Sequence, residues 1–424
     1  MNIAMFTNTY LPHVGGVARS VSTFAEDLRR AGHRVRIVAP AYSESSEETD
    51  PDIVRVPAIQ NFNGSDFSVR LPLPGTINKA LTAFAPDIIH SHHPFLLGDT
   101  ALRTARSLDL PLVFTHHTLY EKYTHYVPFD SDALKRFVIK LATEYANLCH
   151  RVIAPSTGVK NLLVARGVQS AVEVLPTGVD LAFFRRGDGG RFRREFGIPQ
   201  NSPVIGHVGR LAREKNLPFL VRAVAHALGT HPTACFLVAG SGDAEEQMRE
   251  IFAVRGLERR VFMVGSITGR RLADCYAAID LFAFSSRSET QGLVLAEAMA
   301  AATPVVALSA SGVKDVLEDG RTGVLLPDDI SVDAFGTVLA ATLADRERLA
   351  FFSRNALAAA EDFSREKSAE RLIGFYRKTI VGTPHKTAID MLDSAILAIR
   401  AEWELLQQKT AAAINTFAED GDAL

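Results

Sequence analysis

Short apolar runs rich in Val, Ile, Leu and Phe alternate along this chain with longer stretches whose apolar residues recur every three or four positions. Runs of the first kind predict strands buried on both faces, and stretches of the second kind predict amphipathic helices. Their alternation predicts doubly wound α/β domains built on parallel sheets. In the first half, strands are expected at 3–7, 34–39, 53–56, 88–90, 112–115, 151–154 and 172–175. Helices are expected over about 17–31, 76–84, 97–108, 131–148 and 157–166. A turn-rich segment from Pro176 to Asp180 then interrupts the pattern, which restarts at 204–208. Further strands are expected at 234–239, 260–264, 279–284, 304–307 and 323–326, and helix over 331–379.

The length of 424 residues is too great for one ordinary core and implies two domains. The division expected is an N-terminal domain over 1–178 and a second over 179–364. Residues 365–424 then form a helix crossing back to the first domain, followed by an amphipathic tail. In that tail Ile389, Leu392, Ile396, Ile399, Trp403 and Leu406 recur in steps of three and four. Such a seam either packs on the N-terminal domain or supports self-association.

Charge narrows the partners. A formal net charge of −2 gives no basic footprint for nucleic acid. Cys149, Cys235 and Cys275 lie far apart in apolar contexts, which fits buried thiols in a reducing compartment. The first residues read as a strand and not as a signal peptide, and no apolar run is long enough to span a bilayer. The expected location is cytoplasmic, with any membrane contact peripheral and on the inner face.

The most informative loop joins the strand at 279–284 to a helix starting at Leu293. A loop leaving the carboxyl end of a parallel strand and opening a helix is an anion site, with free N–H groups expected at Gln291, Gly292 and Leu293. Yet Glu289 lies in this loop and Glu297 follows on the second helical turn. Carboxylates beside an anion site are useful when the ligand also carries hydroxyls. Phosphate together with hydroxyls suggests a nucleotide-sugar.

Gly206-His-Val-Gly209-Arg210-Leu-Ala-Arg-Glu-Lys215-Asn216 also follows a strand and opens a helix. Arg210 and Lys215 there sit where a pyrophosphate could lie, and fixed cations would stabilise its developing charge as a sugar departs. Gly240, in Gly-Ser-Gly, marks a further strand-end turn, and Gly15-Gly16 follows the first strand. Five histidines, His90, His92, His93, His116 and His117, cluster after two strands without an evident carboxylate set for a metal.

The pairing of Glu289 and Glu297 around Thr290-Gln291-Gly292-Leu293 resembles the signature of glycosyltransferase family 4. These are retaining enzymes of the GT-B fold, with two Rossmann-like domains facing a cleft. The resemblance covers about residues 1–380. It implies that Arg210, Lys215 and the Gly209 turn hold the donor phosphates, with Gly15, Gly16 and Gly240 nearby. It implies that Gly265 lies beside the base, that Glu289 binds sugar hydroxyls and that Glu297 binds the ribose. The histidine contacting the sugar is His117 when aligned on the following threonine, with His116 as the rival. Attack on the sugar's front face is implied, the leaving phosphate taking the acceptor's proton, with domain closure about 176–180. The basic pair makes a metal or other cofactor unnecessary.

The segment 118–128, with Tyr120 and Tyr123, resembles bacterial diacylglycerol α-glucosyltransferases, as does Thr-Gln-Gly itself. Lys135, Arg136 and Lys140 lie among Phe137, Val138 and Ile139 on the next helix, which suits either an anionic membrane surface or a packed helix with a solvated basic face. The leading expectation is transfer of glucose from UDP-glucose to diacylglycerol or a related lipid. The alternatives are a soluble sugar, polyol or polysaccharide acceptor, a non-catalytic nucleotide-sugar sensor, or a nucleotide-sugar epimerase on the same fold.

Overall fold

The computed structural model describes residues 1–12, 15–42, 50–59, 69–70, 75–124 and 131–383. The expected tail helix, and residues 125–128 of the aromatic segment, lie outside the described residues. The described residues divide into two compact units: those of Met1–Thr177 with 368–383, and Gly178–Lys367.

In the first unit the strands are β1 (Asn2–Phe6), β2 (Arg34–Pro40), β3 (Ile53–Val56), β4 (Ala58–Ile59), β5 (Val69–Arg70), β6 (Ile88–Ser91), β7 (Leu112–Thr115), β8 (Arg151–Ala154) and β9 (Ala171–Val174). A seven-stranded parallel sheet runs β3-β2-β1-β6-β7-β8-β9, while β4 and β5 form a separate antiparallel pair that the apolar pattern does not announce. The central strands are buried on both faces, which is why they read as uninterrupted apolar runs. Helices α1 (Gly16–Arg30), α2 (Gly75–Phe84), α3 (Leu97–Ser107), α4 (Asp132–Leu148) and α5 (Thr157–Ala165) connect them. Ser131 and Ser156 cap α4 and α5 by accepting from Leu134 and Val159 N–H.

The second unit opens with two short helices, α6 (Leu181–Arg185) and α7 (Gly189–Glu195). Its strands are β10 (Val204–Val208), β11 (Cys235–Ala239), β12 (Val261–Met263), β13 (Leu281–Phe284), β14 (Val305–Leu308) and β15 (Gly323–Leu326). They form one parallel sheet in the order β12-β11-β10-β13-β14-β15. The helices are α8 (Leu217–Thr230), α9 (Glu245–Ala253), α10 (Arg270–Ala277), α11 (Leu293–Ala300), α12 (Val332–Ala344) and α13 (Arg346–Ala360). The last described helix, α14 (Arg365–Gly382), passes from the second unit into the first, where Leu372, Phe375 and Tyr376 join the core that includes β1 and β2.

Each sheet reverses its winding once, between β1 and β6 in the first unit and between β10 and β13 in the second. At such a reversal the loops leaving the two strands diverge to opposite faces, leaving a crevice beyond their carboxyl ends where ligands bind. The second unit brings the Arg210–Lys215 loop and the Glu289 loop to this place. Adding Cβ to Gly240 (φ 143°) would put it 1.8 Å from the Gly209 carbonyl oxygen, so two strand-end turns meet backbone to backbone there.

Candidate functional site

The sequence pattern places Lys215 where a helix opens. Instead it ends a single 3-10 turn, Arg213–Lys215, and Asn216 in a left-handed conformation (φ 56°) separates that turn from α8. Four hydrogen bonds staple this turn and Asn216 to the loop after β13. The Ser285 hydroxyl shares its proton between the carbonyls of Lys215 and Asn216, each 3.1 Å away. Asn216 Nδ2 donates to the Ser285 carbonyl at 3.2 Å. The Ser288 hydroxyl donates to the Glu214 carbonyl at 3.2 Å. Across the same seam Lys215 Nζ meets Glu289 Oε2 at 3.1 Å, with the two side chains 19% and 15% exposed. Arg210 pairs with Glu214, whose carboxylate is buried.

The expectation of free N–H groups at the start of α11 needs correction. Gly292 N–H donates to Glu289 Oε1 at 3.1 Å, and Gln291 N–H bonds the same carboxylate. Glu289 thus caps the helix that follows it, because the loop's tight turn at Gly292 (φ 81°) folds the carboxylate back over those amides. Burial pushes the Glu289 carboxyl up, but Lys215 and the two amides outweigh burial and hold its pKa below the ordinary value. Thr290 is half-buried, Gln291 is buried and Leu293 half-buried. Glu297 is buried within the unit, where its Oε2 accepts from the Tyr276 hydroxyl at 2.8 Å.

A residue that the sequence did not single out shapes this loop from the other side. Gly312, after β14, donates its N–H to the Glu289 carbonyl at 3.1 Å. A Cβ added there would lie 2.4 Å from Gln291 N and from the Thr290 carbonyl carbon. Gly312→Ala is therefore expected to displace the Thr-Gln-Gly turn and to cut kcat/KM by about 10²-fold, since a misplacement near 1 Å has that effect. Steady-state kinetics with the fold followed by circular dichroism check it; unchanged kcat/KM would contradict it.

Among the other donor-site expectations, Gly209 and Gly240 directly follow β10 and β11, Gly265 lies two residues beyond the edge strand β12, and the three have positive φ of 155°, 143° and 72°. Gly15 precedes α1 in extended backbone, and a Cβ on Gly16 would meet nothing within 4 Å among the described residues.

In the first unit the histidines form an array at the carboxyl ends of β6 and β7, with His90 still inside β6. His90 bonds Tyr376 Oη at 2.6 Å and Thr115 Oγ1 at 2.7 Å. His93 Nδ1 accepts from Asn8 N–H at 3.1 Å. His92 Nδ1 lies 2.9 Å from His117 Nε2. His116 is buried, its ring edge-on to Phe114 and Tyr120, whereas His117 is half-buried. Among the described residues no group of three or more His, Cys, Asp or Glu is placed to hold a metal ion.

Burial, followed by neighbouring histidines (for His116 by Arg166 first, for His117 by none), lowers the pKa of His90, His93, His116 and His117 to about 3, and that of His92 well below 6.5. A depressed histidine pKa contributes stability that is complete above the unfolded value near 6.5 and is lost as pH falls towards the folded value. Each such histidine removes up to about 1.4 kcal/mol per pH unit below 6.5. Denaturant unfolding should therefore show the first unit markedly weaker at pH 5.5 than at pH 7.5. Equal midpoints would contradict a neutral, buried array.

The expected acceptor-side residues lie on and just after the 3-10 turn Tyr120–Lys122 and on α4. The Tyr120 hydroxyl is buried without a hydrogen-bond partner among the described residues, and Tyr123 is half-buried. Lys135 pairs with Asp132 at 3.0 Å and Lys140 with Glu144 at 2.9 Å, so much of the basic character of α4 is locally balanced. Leu134, Arg136, Phe137, Val138 and Ile139 are all half-buried. No described helix is long and apolar enough to cross a membrane.

Comparison with known proteins matches residues 14–183 to Glycosyltransferase Family 4 and residues 189–358 to Glycosyl transferases group 1. The α-monoglucosyldiacylglycerol synthase of Streptococcus pneumoniae is 31% identical over 354 residues, covering 81% of this chain and 79% of that protein. A GDP-mannose-dependent α-mannosyltransferase of Mycobacterium tuberculosis is 30% identical over 364 residues, covering 84% and 92%. Among solved structures, Anabaena HepE in complex with UDP and glucose superposes with a TM-score of 0.71 at 21% identity, over 89% of this chain and all of that one.

Proposed function

Because the chain belongs to glycosyltransferase family 4, with two Rossmann-like domains of the GT-B fold, we propose that it is a retaining hexosyltransferase moving glucose from UDP-glucose to diacylglycerol or a related lipid. The observation that carries the donor half is the Lys215–Glu289 seam at the winding reversal of the second sheet. An ammonium has three donors, and Glu289 engages one of them. The same ammonium is assigned to a diphosphate oxygen, joined by the Arg210 guanidinium. Glu289 retains acceptor capacity for sugar hydroxyls, and Glu297 is assigned to the ribose.

The transfer breaks the bond from sugar C1 to the β-phosphate oxygen and forms a bond from the acceptor oxygen to C1 on the same face. The acceptor's proton passes to the departing phosphate. Cations at Lys215 and Arg210 stabilise the charge left on that phosphate, a role that otherwise falls to a divalent metal. His117 is assigned to a hydroxyl of the transferred sugar, and its half-buried setting favours it over the buried His116.

The lipid acceptor is supported by the pneumococcal relative's activity and by the half-exposed apolar residues of α4 interleaved with Lys135, Arg136 and Lys140. The mannosyltransferase relative supports a second reading, with another sugar nucleotide. Product analysis after incubation of UDP-glucose with diacylglycerol-containing vesicles tests the proposal. An α-linked glucolipid is expected. A β-linked product would overturn retention, and label confined to soluble acceptors would overturn the lipid assignment. Each basic residue near an anionic surface contributes about 1 kcal/mol, so reversing Lys135 and Arg136 to Glu should weaken vesicle binding by about thirtyfold or more. Co-sedimentation unchanged by that double substitution would remove α4 from the membrane contact.

A further inference from the structure

We infer that His92 is a positioning residue that holds His117 as the Nδ1–H tautomer and fixes its ring. The inference deepens the assignment of His117 made above and rests on it for its functional meaning.

The topology makes the contact. Strands β6 and β7 are parallel neighbours with Ser91 opposite Phe114, so the residues leaving their carboxyl ends emerge side by side. His92 is the first residue after β6 and is anchored by its own N–H to the Phe6 carbonyl at 2.9 Å. His117 is the second after β7, and the preceding His116 is anchored to the Ile153 carbonyl at 3.0 Å. His92 Nδ1 and His117 Nε2 are then 2.9 Å apart, with ring centroids 5.2 Å apart and planes 21° apart. At that centroid distance two nearly parallel imidazoles lie edge to edge, as an N–H···N bond requires. His90 packs behind His92 at a centroid distance of 4.1 Å and is itself tied to Tyr376 and Thr115, so His92 has a firm back support.

An N–H···N bond holds one proton, so the two rings are complementary. If His92 Nδ1 carries it, His117 must present a bare Nε2 and carry its own proton on Nδ1. The opposite arrangement puts N–H on His92 Nε2. That nitrogen is buried and has no hydrogen-bond partner among the described residues. A buried N–H without an acceptor is costlier than a buried bare nitrogen. The proton therefore sits on His92 Nδ1, and His117 is an N–H donor through Nδ1. A donor of fixed polarity suits a sugar hydroxyl oxygen, and a neutral one adds no charge to the site. The tautomer of a histidine is set by the bond its other nitrogen makes, and here another histidine makes that bond.

The test is two-bond 1H–15N correlation on the full chain labelled with 15N-histidine, at pH 7.5, the His117 signals being identified by their loss in His117→Gln. A protonated Nδ1 on His117 is expected, and a protonated Nε2 would overturn the inference. In His92→Phe, which fills the space without the bond, His117 should shift towards a mixture of tautomers. With UDP-glucose, kcat should fall by about 10- to 100-fold, the usual effect of losing such an orienting partner. His92→Asn, whose amide N–H stands near the position of Nδ1–H, should restore most of that rate and the original tautomer. A His92→Phe protein with wild-type kcat and an unchanged His117 tautomer would overturn the inference. Should His92→Phe not fold, the wild-type tautomer and His92→Asn still decide. Full activity in His117→Ala would instead remove the sugar assignment while leaving the tautomer result intact.

Discussion

Replacing Lys215 with Ala is expected to lower kcat/KM for sugar transfer by about 10²- to 10³-fold, the loss typical of removing one preorganised group from a developing oxyanion. The same substitution strips Glu289 of the cation that holds its pKa down, leaving a largely buried carboxylate uncompensated. Breaking a buried pair by removing one partner costs about 3–5 kcal/mol of stability. Activity and stability would thus fall together, and the double variant Lys215→Met with Glu289→Gln separates them. Without a lone buried charge, it should recover most of the lost stability in denaturant unfolding and none of the lost turnover. Recovery of turnover would mean that Lys215 serves only to neutralise Glu289.

Glu289→Gln carries the second large effect. The amide oxygen can still accept Gly292 N–H, so the cap on α11 is preserved in form. What disappears is the negative charge beside Lys215, together with the carboxylate's capacity to accept from sugar hydroxyls. A fall of about 10²-fold or more in kcat/KM is expected on the basis of a charged hydrogen-bonding group lost at the reacting sugar. Glu289 also gives the second unit an acid-sensitive element. A carboxyl whose folded pKa is depressed contributes stability above its ordinary value of 4.5 and loses it as pH falls through the lower folded value. Glu289→Gln should flatten that part of the acid unfolding profile, while a wild-type rate would remove the residue from the donor site.

Much of this architecture was legible because central parallel strands are buried on both faces. The central runs at 112–115, 151–154 and 204–208 coincide with observed strands residue for residue, as do the edge strands at 53–56 and 323–326. The β4–β5 pair escaped, since two-residue strands carry no period. The helix-opening loop at Glu289 was also legible, but the fate of its amides was not, because the turn at Gly292 that brings the carboxylate back is a matter of backbone geometry. The Tyr276–Glu297 and Gly312–Thr290 contacts join residues about twenty positions apart on different elements, and only packing creates them. The histidines were visible as a cluster. Their pairing follows from β6 and β7 being neighbours, which composition cannot reveal.

The measurement closest to the central claim is nucleotide release from a panel of UDP-, GDP- and ADP-sugars, with lipid vesicles and soluble acceptors, by the wild-type protein and Lys215→Ala in parallel. The account predicts acceptor-dependent release of UDP from UDP-glucose by the wild type, reduced by at least about 10²-fold in the variant. Release at equal rates by both proteins, or none from any sugar nucleotide with any acceptor, would contradict it.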